Sequence, residues 1–518
     1  MTTTVNINSI LSKCLVPTTL EPLTATIVSR YITSPFEIHC NKFAPEEEKD
    51  SMSKYQQLLF ERGREHETQT VKDKYPGIVP IPFVTREEGF KLALEAMAAG
   101  TDIMHGIPMF YLPEGLLGEV DVLEKSKSKD SIFGKYHYTI KEIKLAKNIR
   151  EDHVIQGAFY NYILGKIQGI TPEIFHLVNR DGEEIAYQYS EYEELLLESI
   201  EGTRKILTRE EQISPTYGSC GFPWESYCNR LAEETNDISL VAGVSLKTKN
   251  KLVEHGLKTV HDLARSEIQK LVEIKGVGNG TAAKLVYSAK AIQSKKPIIK
   301  NAKSIVFPSC KVEIFLDLEG VDPTMMGEEV IQMDYLIGAL VRIGSKEEYL
   351  AFVAKDLEHE KDMLLEFLDF IKKQKDYVIY HYHHYEKTHL EKMMTRYGVD
   401  EKIKKMVFEH MIDIYKIATS AVAFPTYGNG LKPVAKYLGF SWRHKNVDAT
   451  ESIALYLDYV ANPSENKNKL QLILDYNEDD CIATRVIKDW LDSQIRKKRF
   501  ANRSHDFEYA VSEIKEKN

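Results

Sequence analysis

The segment IFLDLEG, residues 314–320, sets two carboxylates two positions apart inside an apolar run. The run is rich in Ile, Leu and Phe and reads as a buried strand. Side chains on a strand alternate between faces, so Asp317 and Glu319 point the same way. A lone ionised carboxylate there costs several kcal/mol to desolvate unless something compensates it. A divalent cation, which takes oxygen ligands, is the natural partner of two such acids. The plainer alternative is a strand end paired with surface lysines.

A second acidic cluster lies downstream in LDYNEDDCIATRVIKDW. On a helix Tyr476 and Asp480 are neighbours at i and i+4. A strand D-x-E followed by a helical Y-x-x-x-D resembles the DEDD exonucleases, whose fold is RNase H-like. The stretches YNEDD and LKPVAKYLGF bring the likeness closest to YprB-type domains, over roughly 305–495. The resemblance implies that Asp317, Glu319 and Asp480 hold two metal ions on a scissile phosphate and that Tyr476 orients the attacking water. The family's remaining acid is an Asp shortly after a strand. Here VIYHYHHYEKTHL offers Glu386, one methylene longer, with Asp413 of HMIDIYKIA as the fallback. His381, His383 and His384 read as surface or packing groups.

The front of the chain carries another constellation. GEVDV puts Asp121 at a strand start after a glycine, and KEIKLA puts Glu142 and Lys144 on one strand face. Two acids and a lysine suit metal-dependent phosphodiester hydrolysis, the lysine positioning water or offsetting phosphate charge. The following helix holds Gln156 and Tyr160 one turn apart, and His66 falls on a helix upstream in FERGREHE. The ordered set resembles the RecB-like branch of the PD-(D/E)XK nucleases. That likeness implies a restriction-endonuclease-like domain, with His66, Asp121 and Glu142 on metal and Gln156 and Tyr160 on the nucleic-acid backbone. Gln156 and Tyr160 read equally as helix packing.

Several nucleases of that branch bind an iron–sulfur cluster through four cysteines. Cys40, Cys220 and Cys228 match three of the ligands, and the third downstream cysteine is missing. A cubane cluster takes four thiolates, and the spacing of Cys14 does not mark it as the fourth. Buried reduced thiols are the alternative, and with only six cysteines they are the default for a cytoplasmic chain.

Between Ser245 and Lys303 thirteen Lys and Arg face four Asp and Glu, a local excess of +9 in a chain of net charge -9. Short helical segments there break at AGVS, EHGLKT and KGVGNG. A hairpin at Gly276, Gly278 and Gly280 can present backbone N–H groups to a phosphate, with Lys275, Lys284 and Lys290 alongside. GVGNGTAAK resembles a helix-hairpin-helix element, which grips nucleic acid without reading its sequence. A structural spacer with solvated lysines is the alternative.

At 518 residues the chain is long enough for several domains. The expected organisation is multidomain α/β. Residues 1–235 form the restriction-endonuclease-like domain, 236–300 a small all-α helix-hairpin-helix domain, 305–500 the RNase H-like exonuclease, and 501–518 a tail. MTTTVNINSI lacks the features of a signal peptide and no apolar run reaches spanning length, so a cytoplasmic location without a membrane partner is expected. The resemblances imply a Mg2+- or Mn2+-dependent nuclease acting on DNA rather than RNA, in repair, recombination or defence. No Walker A motif occurs, so unwinding would need a helicase or ATPase partner. The rival reading is a non-catalytic nucleic-acid scaffold with a decayed domain.

Overall fold

The computed structural model describes residues 5–321 and 333–515, with side chains through residue 495. Two units divide the described chain, residues 5–52 with 56–232, and residues 53–55 with 233–321 and 333–515. No helix among the described residues is long and apolar enough to cross a membrane.

In the first unit a six-stranded sheet runs β1 (Val79–Pro80), β2 (Ile103–Tyr111), β3 (Leu116–Ser126), β4 (His137–Ile143), β5 (Ile174–Val178), β6 (Glu184–Gln188), in that spatial order. It is mixed: β2, β3 and β4 pair antiparallel, β4 and β5 parallel. The parallel step needs a crossover, which the helix Glu151–Gln168 supplies. Twelve of its residues are buried, nine of them apolar or glycine, so it packs on the sheet over most of its surface. Gly157 permits that approach, because a Cβ there would meet the Phe175 ring at 2.8 Å. Asp121 sits in the middle of β3, not at its start. Lys144 lies one residue beyond β4, its N–H donating to the Val178 carbonyl.

Residues 236–291 are all helical. The helices Leu246–Glu254, Val260–Arg265, Ile268–Val272 and Asn279–Ser294 are short, and side-chain caps define several of their starts. Ser245 Oγ accepts from Thr248 N, and Thr259 with Asp262 forms a reciprocal capping box. Leu252, Leu263, Leu271, Ile274 and Leu285 fill the small core. A buried ion pair, Lys249 Nζ to Asp237 at 2.8 Å, ties the first helix to the entry turn. The strand β7 (Ile298–Ile299) then pairs with β13 (Val422–Ala423) and joins this region to the following fold.

That fold is a five-stranded sheet of β8 (Val312–Val321), β9 (Met333–Ile343), β10 (Lys346–Val353), β11 (Tyr377–His381) and β12 (Met411–Asp413), in the order β10-β9-β8-β11-β12. β10, β9 and β8 are antiparallel neighbours, and β11 and β12 continue in parallel. The helix Glu360–Lys372 makes the crossover into the parallel half. The long helix Lys467–Lys515 lies against β8, β9 and β11 and continues through the segment expected to be a tail.

The long helix comes so close to β9 that no side chain fits between them at Gly338. A Cβ on Gly338 would stand 1.6 Å from Asn477 Oδ1. Glycine inside a strand marks such an approach. Gly338→Ala should therefore destabilise the second unit by about 1–3 kcal/mol, as overpacking does, read as a lower urea midpoint. Gly344→Ala, where nothing lies within 4 Å but φ is +63°, provides the comparison for a purely conformational cost.

Candidate active site

The two carboxylates of β8 meet the long helix at the centre of the second unit's sheet. The ligand oxygens of Asp317, Glu319 and Asp480 all lie within 4.8 Å of one another. Asp317 is partly buried, and Glu319 and Asp480 are 6% exposed. Strand alternation aims the first two at one face, and the helix brings Asp480 over that face. Tyr476, one turn earlier and 4% exposed, lies beside Asp480 and favours its ionised form. These residues line a cleft of about 880 Å³ together with Glu386, Tyr382 and Tyr385.

Glu386 opens the helix Tyr385–Arg396 just after β11 and is 5% exposed. Its charge acts on Asp317. The fallback Asp413 is engaged elsewhere, accepting from His383 N at 3.1 Å and Lys416 N at 3.3 Å as a helix cap. His381 is not a surface group. It is 2% exposed, with Nδ1 3.5 Å from Glu386 Oε2, and neither atom has another hydrogen-bond partner among the described residues. The rings of His383 and His384 lie 4.2 Å apart, tilted at 54°, with His383 partly exposed and His384 exposed.

Like charges packed out of water resist ionisation. Burial pushes Asp317 well above the usual carboxylate range, and Asp480, Glu319 and Glu386 add to the rise. Burial and Asp480 raise Glu319 in the same way, opposed by hydrogen bonds from Asn477 and Ser452. Burial lifts Asp480 to about 6, opposed by the Trp442 N–H, Lys432 and Tyr476. Glu386 is raised chiefly by burial, with His381 pulling it back. A cluster of this kind, raised by mutual repulsion and desolvation in a cleft, is the donor set that hard divalent cations take.

Three supporting residues were not singled out from the sequence. Asn477, fully buried, donates to Asp317 Oδ2 at 2.7 Å and accepts from Tyr349 Oη at 2.8 Å. Trp442 Nε1 donates to Asp480 Oδ1 at 2.7 Å. Lys432, with Nζ 4.7 Å from the Tyr476 ring centre, is a cation whose field lowers all three acids of the cluster. Asn477 and Lys432 lie inside the YNEDD and LKPVAKYLGF stretches, so the signal was adjacent to the residues chosen. Nothing in the order of the chain points Trp442 at Asp480.

In the first unit Asp121, Glu142, Lys144 and Gln156 also converge. Asp121 Oδ2 accepts from Ile143 N at 2.6 Å, and Lys144 Nζ donates to Glu142 Oε1 at 3.3 Å and Gln156 Oε1 at 2.8 Å. Burial raises both acids, Glu142 adds to the rise of Asp121, and Lys144 opposes both shifts. Tyr160, raised by burial, sits in the field of the same acids. His66 is 6% exposed on the helix Lys54–Lys74, Nε2 3.5 Å from Thr70 Oγ1. On that helix it is the adjacent Glu67 whose charge reaches Asp121 and Glu142.

The three cysteines of the iron–sulfur reading do converge, but as a different chemical set. Cys220 and Cys228 form a disulfide, and Cys40 Sγ lies 3.8 Å from Cys228 Sγ. A disulfide leaves no thiolate on either partner, and Cys14 is packed into the main core cluster of this unit. The four-thiolate set a cubane needs is not assembled among the described residues. The expectation of reduced thiols also fails for Cys220 and Cys228. It holds for Cys40, where burial pushes the thiol up to about 12.

In the helical region Gly276 takes φ +90° and Gly278 caps the helix Asn279–Ser294. Lys275, Gly276, Gly278, Gly280, Lys284 and Lys290 are all exposed. The Lys275 carbonyl is held by Lys251 Nζ at 3.0 Å, which fixes the turn.

Two family models match the chain. One describes the RNase H superfamily and covers residues 314–492. The other describes a SAM-like helix-hairpin-helix tandem and covers residues 236–291. No curated protein matches the sequence. The chain thus carries an RNase H-like domain, which holds the carboxylate cluster, and a helix-hairpin-helix region, and their pairing suggests a nuclease that processes nucleic acid.

Proposed function

We propose that the protein is a metal-dependent nuclease whose RNase H-like domain removes nucleotides from a nucleic-acid end in the 3'-to-5' direction, with DNA rather than RNA as substrate. The observation that carries this reading is the convergence of Asp317, Glu319 and Asp480 within 4.8 Å, with Tyr476 on Asp480. Three acids so close, two of them buried and one partly buried, are only partly offset by Lys432 and the N–H groups of Asn477 and Trp442, and the deficit matches what divalent ions supply. Mg2+ or Mn2+ held there would neutralise the scissile phosphate and lower the pKa of the attacking water.

The chain's own residues do the rest. Asp317, Glu319 and Asp480 would supply oxygen ligands, with Glu386, which lines the same cleft, as a further one. Asn477 and Trp442 fix the carboxylate orientations of Asp317 and Asp480 through directed N–H bonds, as outer partners of metal ligands do. Tyr476 Oη, beside Asp480, would orient the water. Burial keeps its phenol protonated, so it acts as a hydrogen-bond donor and not as a base. His381, 3.5 Å from Glu386, opposes the rise that burial gives that carboxyl.

The first unit supports a second reading of the same class. Asp121, Glu142 and Lys144, held by Gln156, form the acid–acid–lysine set of a PD-(D/E)XK nuclease, here of RecB-like type. The exposed Lys275, Lys284 and Lys290 would grip the backbone through the helix-hairpin-helix glycines. A partner helicase or ATPase would feed the strand. A role in DNA repair, recombination or defence, in the cytoplasm, accords with that chemistry.

End-labelled single- and double-stranded DNA should be degraded with Mg2+ or Mn2+ and not with EDTA. Asp317→Asn should lower the exonuclease rate by more than the roughly 10–100-fold that removal of a ligand's hydrogen-bond partner costs, and Asn477→Ala should fall inside that range. Asp121→Ala should leave those products and remove a separate activity. Metal-dependent products unchanged by all three variants would refute the assignment of both sites.

Asp480 must lose its proton to bind metal, so the rate at subsaturating Mn2+ should rise with pH through about 6 and the inflection should move down as Mn2+ increases. The stability sign is opposite. In the metal-free fold this carboxyl holds its proton up to about 6, above its unfolded value, so folding binds protons and stability falls as pH climbs through that window. Thermal melts from pH 4.5 to 7.5 in EDTA should show the decline, and Mn2+ should remove it.

A further inference from the structure

A second groove adjoins the acidic cleft, and its chemistry is the reverse. It measures about 310 Å³ and is lined by Lys432, Lys436, Phe440, Trp442, His444 and Lys445. Two residues of the groove's lining touch residues of the cleft. Trp442 donates to Asp480, and Lys432 lies over the Tyr476 ring. The helix Leu431–Tyr437 and the segment after it therefore present one surface to the acids and another to this groove.

The cations of the groove divide into two kinds. Arg443, beside it in sequence, is consumed by Asp475, Glu478 and Asp479, and His444 Nε2 lies 2.8 Å from Asp475. Lys436 and Lys445 are exposed, and neither forms an ion pair among the described residues. Uncommitted ammonium groups beside open aromatic rings are the surface a single strand needs, the charges tracking phosphate and the rings stacking bases. Phe440 and Trp442 stand edge to face at 4.9 Å and are partly exposed. The groove volume is at the small end for ligand sites, of the order of 300 Å³, with room for one nucleotide unit and not for a paired helix. Tyr437 Oη, on the same helix, reaches the Lys295 carbonyl at 3.5 Å, so the groove lies along the edge that meets the end of the helix-hairpin-helix region.

We propose that this groove holds the nucleotide next to the scissile one, its phosphate on Lys436 and Lys445 and its base on Trp442, and so selects a single strand. The proposal rests on the nuclease reading of the adjoining carboxylates. Trp442 then has two functions in one ring: its N–H positions Asp480, and its face receives the neighbouring base.

The test is binding of fluorescein-labelled oligothymidylate by the full chain in Mg2+, followed by anisotropy in the Asp317→Asn background. Lys436→Glu with Lys445→Glu should weaken binding about tenfold or more. The slope of log K against log salt should fall by about 0.7, the value for the one single-strand phosphate that the two lysines no longer neutralise. Lys361→Glu with Lys405→Glu, the same charge change on exposed lysines of other helices, should alter affinity less than about twofold. Trp442→Ala should weaken the oligonucleotide about tenfold, within the range for removing one stacked base, while Trp442→Phe should retain the affinity. A hairpin duplex without a single-stranded end should respond to the groove variants no more than to the controls. Equal effects of groove and control pairs, no measurable binding, or a duplex response matching that of oligothymidylate would each overturn the proposal. Failure of the nuclease reading would appear elsewhere, as equal turnover by wild type and Asp317→Asn, which this binding measurement does not use.

Discussion

The mutual repulsion of Asp317, Glu319, Glu386 and Asp480 is the constraint around which the second unit is organised. Four carboxylates in one cleft, three of them 5–6% exposed, cannot all ionise without compensation. The fold supplies part of it through directed N–H groups from Asn477 and Trp442 and through the charge of Lys432. The remainder leaves Asp317, Glu319 and Asp480 as a group that could hold a metal ion. A fold that neutralised these acids fully with arginines would be more stable without metal and chemically inert.

Close approach is the means by which the acids are brought together. The long helix Lys467–Lys515 reaches the sheet only because Gly338 has no side chain, and that contact places Asn477 against Asp317. Gly320 works alike one strand position past Glu319, where a Cβ would stand 2.4 Å from Asp334 Oδ1. Asp334 in turn holds His389 Nδ1 at 2.6 Å, and Tyr385 stacks on that imidazole. The helix that carries Glu386 is thereby anchored to β9 by a buried hydrogen bond, which helps to set the position of that acid.

The first unit solves a similar problem with different means. Asp121 and Glu142 are neighbours across β3 and β4, and the lysine that offsets them is on the same chain segment as one of them. Gln156 from the crossover helix then orients Lys144. In the second unit the offsetting cation comes from a helix far from either acid in sequence. The second unit also has a basic groove, whose Trp442 donates to Asp480 of the acidic cleft.

Much of this was legible in the order of residues, because period and spacing are local properties. The two-residue separation of Asp317 and Glu319 determined that they share a face, and the four-residue separation of Tyr476 and Asp480 placed them on one helical stripe. The basic run at 245–303 and its glycine breaks marked a helical hairpin region. What no local rule reaches is which side chains meet across elements. That Glu386 and not Asp413 enters the cleft, that His381 is buried beside it, that Glu67 acts on Asp121, and that Cys220 pairs with Cys228 all depend on backbone paths that bring distant residues together. Sequence alone determined the chemical types and their local faces. Tertiary structure decided the partners, because desolvation and charge repulsion depend on distances between side chains that the chain holds far apart until it packs.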